Sequence, residues 1–180
     1  VQVSRTNQVE ILEAFRNRLL QMMPDVYGQD NVYFDDEPIP RQAPDFDYCC
    51  SLSVSNGVFG TDGSLNTTQA PCFVHESCHI QVSPMVRLES EQPHNLNLSL
   101  VYNRTTGLIG TFKPKIISAL MVDYDGTNGT RKRWEPLDGA GNSLLLNSIN
   151  LTACSSPQQV RDYPFLGMTL DFRVSWIWRI

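Results

Sequence analysis

His75-Glu76-Ser77-Cys78-His79 spells H-E-x-x-H, the string with which metalloproteases bind zinc. The chemistry depends on a helix: residues i and i+4 then share a face, both imidazoles reach one Zn²⁺, and the Glu polarises a bound water. The flanking residues predict a strand instead. Val74, Glu76, Cys78, Ile80 and Val82 alternate with His75, Ser77, His79, Gln81 and Ser83 between Pro71 and Pro84, and the period of two continues through Val86 and Leu88. In a strand the two imidazoles stand ~13 Å apart, at ~3.3 Å per residue. A shared zinc needs both within ~2.1 Å of the metal. Val82 and Met85 also occupy the Gly and third-His positions of the extended motif. The expectation is no metal site and no catalytic role at His75, Glu76 or His79.

Other spacings give equally little chemistry. The 5 cysteines at 49, 50, 72, 78 and 154 form no C-x-x-C pair, and an odd count does not make a closed disulfide framework; reduced, buried thiols are expected. Asp123-Tyr-Asp125 opens a run like a calcium loop, but Asn128 and Trp134 stand where an EF-hand needs Gly and Glu, so a turn is expected. Gly139-Ala-Gly141 lacks the setting of a phosphate loop, and no G-x-S-x-G elbow occurs. Arg131-Lys-Arg133 reads as a solvated basic face that could meet an acidic neighbour. No cofactor is implied. N-x-[ST] occurs at Asn66, Asn97, Asn103, Asn128 and Asn150, which would suit a secreted, glycosylated binding domain.

With 180 residues the chain suits one domain with a sizeable core, and its 41% hydrophobic and 18% charged residues suit a globular fold. A net charge of −5 argues against a general nucleic-acid binder held by phosphate contacts. No run of 18 apolar residues is present to span a membrane.

The elements follow from periodicity. Val9, Leu12, Phe15, Leu19 and Met22, widened by Ile11, Leu20 and Met23, predict an amphipathic helix over 6–23, capped by Thr6 or Asn7 and stopped by Pro24. Val32–Phe34 predicts a short strand. Phe46, Tyr48, Cys50, Leu52 and Val54 alternate into Asn56-Gly57, read as a hairpin turn. Residues 57–71 read as a long loop, and Leu96, Leu98, Leu100 and Tyr102 as a strand pairing with 84–90. A second helix is expected over 112–124, with Pro114 in its first turn and Ile116, Ile117, Leu120, Met121 and Tyr124 buried. The stretch 143–152 is apolar and ambiguous. Met168, Leu170, Phe172, Val174, Trp176, Trp178 and Ile180 alternate with Thr169, Asp171, Arg173, Ser175, Ile177 and Arg179, predicting a 13-residue strand that must be paired inside a sheet or against another subunit. The expected fold is a single α+β domain, a mostly antiparallel sheet with two helices packed on one face and long loops at 57–71 and 125–167.

Ile11-Leu-Glu-Ala-Phe-Arg-Asn-Arg-Leu19, Asn31-Val-Tyr-Phe34 followed by Asp-Asp-Glu-Pro38, Lys115-Ile-Ile-Ser-Ala-Leu120 and Leu170-Asp-Phe-Arg-Val-Ser-Trp-Ile-Trp178 occur in an order that resembles bacteriophage tail terminator (tail-completion) proteins. The likeness is one of pattern over most of the chain, without a diagnostic motif, and the 57–71 and 125–167 regions are longer than such a fold needs. It implies a non-enzymatic subunit of the virion, assembled in the host cytoplasm, forming a ring, usually a homohexamer. The ring would cap the tail tube, join it to the head connector and neck proteins, and leave a lumen through which DNA passes without specific binding. Asp45, Asp47 and Asp171 on the second sheet face would then line the lumen and repel phosphate. Another connector or tube component, a secreted glycosylated domain and a zinc peptidase are the competing readings.

Overall fold

The computed structural model describes residues 8–34, 48–55, 57–61, 73–87, 107–124, 129–160 and 165–179. The chain is α+β: a mostly antiparallel sheet with two helices on one face. At the centre lies β4 (Phe73–Arg87), a 15-residue strand. The strand expected through the H-E-x-x-H motif is therefore present.

One edge of β4 carries β2 (Tyr48–Val54) and then β3 (Val58–Thr61), both antiparallel to it. This corrects the hairpin expected at Asn56-Gly57 and places a strand inside the expected 57–71 loop. The chain does not reverse; it continues along the same edge. Val54 pairs with Ile80 and Val58 with Ser77, so four positions on one side advance three on the other, the one-residue excess of a β-bulge. Gly57 is needed there because a Cβ would meet the Glu76 side chain, its Cδ at 3.0 Å. Asn-Gly suits a bulge as well as a turn, and the pairing partner chose between them. Beyond β2 lies β1 (Val32–Phe34), parallel to it, with Val32 opposite Cys50.

The other edge of β4 carries β9 (Phe165–Gly167) and β10 (Leu170–Arg179) in one unbroken register, from Phe165 opposite Arg87 to Arg179 opposite Phe73. The gap between them has a cause in Pro84. Its carbonyl accepts from the Met168 amide at 3.2 Å, but Pro84 has no N–H to return the bond. Beyond β10 and β9 lie β7 (Asn150–Cys154) and β8 (Gln158–Gln159), and a register shift between Asp171 and Phe172 bends this outer edge. The long C-terminal strand is thus paired inside the sheet, one of the two outcomes expected of its length: with β4 along all of it and with β7 over residues 170–173. The described residues of the expected 125–167 loop contain four strands: β7, β8, β9, and β6 (Arg131–Arg133).

Helix α1 (Gln8–Met22) buries Ile11, Phe15 and Leu19, with Met23 just beyond it, at spacings of four; Val9 and Met22 are exposed, so the buried stripe is rotated from the one expected. The second helix, α2 (Lys113–Met121), continues a π-helical turn (Leu108–Phe112). It ends earlier than expected, because β5 (Val122–Tyr124) pairs with β6. Ile116, Ala119 and Leu120 are its buried residues; Ile117 and Met121 are half-buried. Both helices pack over Leu52, Ile80, Val82, Leu170, Phe172, Val174 and Trp176 in one apolar cluster. Each such side chain contributes roughly 1.5–3 kcal/mol on burial. Phe15 stands edge-on to both Trp134 and Phe172, with centroids at 5.5 and 6.3 Å. Caps at Thr6 or Asn7, the strand at 96–102 and Asp125 lie outside the described residues.

Candidate functional site

Strand geometry sends the H-E-x-x-H side chains to opposite faces. Glu76 points into the core, only 2% exposed, and accepts a hydrogen bond from the Gln8 amide at 3.1 Å. His75 and His79 lie on the other face, four residues apart along an extended chain. The water-polarising carboxylate and the two imidazoles therefore cannot share a metal. Among the described residues no group of three His, Cys, Asp or Glu side chains is placed to hold one.

The candidate site is the sheet face turned away from the helices. Period two puts Ser51, Ser53 and Ser55 on it from β2 and its end, Ser77, His79, Gln81 and Ser83 from β4, and Thr169, Asp171, Arg173 and Ser175 from the β9–β10 edge. These short polar groups bond across the strands. Ser83 and Thr169 share a hydroxyl contact at 3.0 Å, and the Ser53 hydroxyl donates to the Gln81 side-chain oxygen Oε1 at 3.4 Å. The Ser77 hydroxyl lies 3.3 Å from both Arg173 Nε and the Ser175 hydroxyl. Thr152 of β7 donates to the Asp171 carbonyl at 3.1 Å and meets His79 Nδ1 at 3.2 Å. Such pairs register the strands.

Of the three acids expected on this face, the structure places Asp171 there, half-buried; Asp45 and Asp47 lie outside the described residues. Arg173 shares the face with Asp171, so its described part carries both signs of charge.

One end of the face is apolar. Tyr33, Cys49, Met85 and Phe165 form a small cluster of their own, and the Arg87 guanidinium lies 5.8 Å from the Phe165 ring centre. Beside it is a cavity of about 500 Å³ lined by Tyr33, Ser51, Ser83, Met85, Gln158 and Thr169, among others. Burial pushes the Cys49 thiol up to about 11, against a smaller lowering by a hydrogen bond to Tyr33 and by Arg87. It is a neutral thiol at physiological pH, which suits packing and not nucleophilic attack.

The opposite end is polar and basic. Arg133, Asn147, Ser148, Asn150, Arg173 and Ser175 line a recess of about 720 Å³ with two guanidinium groups and no carboxylate. Arg133 Nη1 donates to the Asn150 side-chain oxygen at 3.4 Å, which ties β6 to the β7 edge. Sequence reasoning noted Arg131-Lys-Arg133 but not its meeting with Arg173, 40 positions further along. The available signal was Arg173 between Asp171 and Ser175 on the outward face of the expected C-terminal strand.

No protein-family model matches the chain, and no curated protein sequence is similar to it.

Proposed function

We propose that the chain is a structural subunit of a bacteriophage tail or neck, a tail-terminator-like protein that associates with copies of itself in a ring. The ring would close the end of the tail tube and join it to the head connector. The observation that carries this reading is the sheet face left uncovered by the two helices. Its long strands are held in constant register and present serine, threonine, glutamine and histidine side chains in place of a convergent catalytic group. A face of this kind suits a wall. Its hydroxyls bond to one another across the strands, its apolar residues are confined to the Tyr33, Cys49, Met85 and Phe165 end, and its described part carries no dense cationic stripe that would hold phosphate.

As a lumen wall the face would let DNA slide, with Asp171, and Asp45 and Asp47 if they share it, adding repulsion toward phosphate. Ring closure would also cover the strand edges that have no further partner among the described residues, namely β1 on one side and β7 with β8 on the other. The sequence order that resembles tail terminators supports the same reading.

Native mass spectrometry of the purified chain, before and after chelator, together with negative-stain electron microscopy, tests it. The expected result is a closed multimer of identical subunits, unchanged by chelator. A monomer at every concentration, with no rings on the grid, overturns the assembly reading. A monomer holding one zinc that chelator removes makes peptide hydrolysis the next assay.

A further inference from the structure

A second surface lies in the helix layer, away from the serine-rich sheet face. The Lys113 amide donates to the Leu108 carbonyl five residues back, so the π-helical turn feeds α2 without a break. Side chains along this continuous helix sort into rows at spacings of four. Leu108, Phe112, Ile116 and Leu120 form the buried row. The next row, Ile109, Lys113 and Ile117, lines a groove of about 500 Å³ beside the β5–β6 ribbon, which contributes Val122 and Arg131. The groove is apolar at Ile109, Pro114, Ile117 and Val122, and Ile109 is 47% exposed. Its charge opposes that of the chain. The chain carries a net −5, yet Lys113 and Arg131 flank the groove and no carboxylate lines it among the described residues. Among those residues neither cation has a carboxylate within ion-pair distance. Asp123 follows Val122 in the chain, but alternation turns it to the other side of β5, where it lies 3.3 Å from Arg18 and 3.9 Å from Lys132.

We infer that this groove docks an acidic, amphipathic helix of another protein. Rows at spacings of four are the ridges with which helices pack on one another, and the row from Ile109 to Ile117 runs ~12 Å at ~1.5 Å per residue, about two turns. A helix laid along it sets apolar side chains on Ile109, Ile117 and Val122 and carboxylates against Lys113 and Arg131. Lys113 stands between the two isoleucines, so a purely apolar partner would cover its ammonium without a counter-charge, which is costly. The Arg131 guanidinium presents a planar fork to a carboxylate on the opposite bank. Turns of π-helix recur at functional sites, and this one carries the most exposed residue of the groove floor, Ile109. No residue that lines the groove belongs to the eight-stranded sheet, so the inference stands apart from the reading of the sheet face as a lumen wall.

The probe is a fluorescein-labelled synthetic helix of ~18 residues, with leucine at every third and fourth position, glutamate flanking that stripe and alanine elsewhere. Fluorescence anisotropy with the full-length chain is expected to show saturable binding. It should be at least tenfold tighter than for two control peptides, one with lysine for glutamate and one with serine for leucine. Lys113→Glu with Arg131→Glu should weaken the acidic peptide at least tenfold and bind the lysine peptide instead, a gain that misfolding cannot produce. Ile109→Ser, at an exposed position, should weaken both peptides. Carbodiimide coupling should join a peptide glutamate to Lys113 and not to Lys132. Any multimer of the wild-type chain should persist in both variants. An absence of saturable binding overturns the inference, as does binding that neither variant changes. Wild-type self-association that Lys113→Glu with Arg131→Glu abolishes overturns it in favour of a second copy of this chain. Binding to vesicles of anionic phospholipid that the same variant abolishes, with no selectivity among the peptides, overturns it in favour of a lipid surface.

Discussion

Arg18 stands on the buried side of α1 with 8% exposure, and its partners explain how a cation is tolerated there. Nε donates to the Ala119 carbonyl at 2.9 Å and Nη2 to the Val122 carbonyl at 3.0 Å, so one side chain from α1 satisfies carbonyls that the end of α2 leaves open. The guanidinium also lies 5.5 Å from the Trp134 ring centre. Arg18→Ala would leave those carbonyls buried without a donor, and a loss of about 2–4 kcal/mol is expected from urea denaturation. Arg18→Lys should recover only part, since an ammonium cannot reach both carbonyls as a planar fork does. The thiols give a second residue-scale expectation. Among the described cysteines, Cys49, Cys50 and Cys78 are buried and Cys154 is exposed, so in a Cys72→Ser background, Cys72 lying outside the described residues, Ellman's reagent should modify Cys154 quickly and the three buried thiols only as the chain unfolds. Burial raises Cys49 to about 11 and Cys78 to about 12, from 9.0. The unfolded thiols therefore lose their protons first. Their contribution is fully present below about pH 9 and is lost as pH rises through the folded values, by up to ~1.4 kcal/mol per pH unit for each thiol. Urea midpoints measured from pH 8 to 11 check this, and Cys49→Ala should flatten the decline.

At the scale of elements, the junction between β2 and β3 is the place where one atom decides most. Gly57 passes so close to Glu76 that no Cβ fits without moving a buried carboxylate. Gly57→Ala should therefore destabilise the fold by roughly 1–3 kcal/mol, read as a lower urea midpoint with an unchanged slope. Ser55, just before it, tests the same junction differently. Its amide donates to the His79 carbonyl at 2.9 Å and its hydroxyl accepts from the His79 amide at 3.1 Å, so it closes the ladder where the bulge begins. The alternation along 48–54, 74–86 and 170–178 made these strands legible, because each has one face on the core and one on water. Strands β3, β5, β6 and β8 were not legible, since two to four residues are too few to establish a period and their partners are remote in sequence. The helix boundary at Val122 was misjudged for a related reason. Val122 and Tyr124 fit an apolar helical face as well as an extended edge, and only pairing with Arg131–Arg133 selects the strand.

For the whole molecule, the response to salt distinguishes an assembly joined through exposed charges from one joined through apolar contact. Ionic screening shortens the reach of exposed charges from about 10 Å at 0.1 M salt to about 3 Å at 1 M. Raising salt across that range should shift a charge-joined multimer toward monomer in sedimentation velocity, while the thermal midpoint of the subunit stays nearly constant because its core is apolar. A multimer that tightens with salt would instead place an apolar contact at the interface, and the Tyr33, Cys49, Met85 and Phe165 cluster would be the surface to mutate next.

The sequence by itself determined the α+β class, the direction each long strand faces and the separation of His75 and His79 from Glu76. These follow from periodicity, a local property that covalent geometry imposes on any half-buried chain. It also supplied Arg131-Lys-Arg133 and the acids around β1 as compositions without positions. Only the tertiary structure decided that the chain continues past Gly57 along β4, that Pro84 sits where β9 gives way to β10, and that Arg133 meets Arg173 across the β6 and β10 segments. Each of these depends on which remote strand lies alongside, and that choice is made by burying the shared apolar face, a cost and gain summed over the whole sheet and not written at any one position.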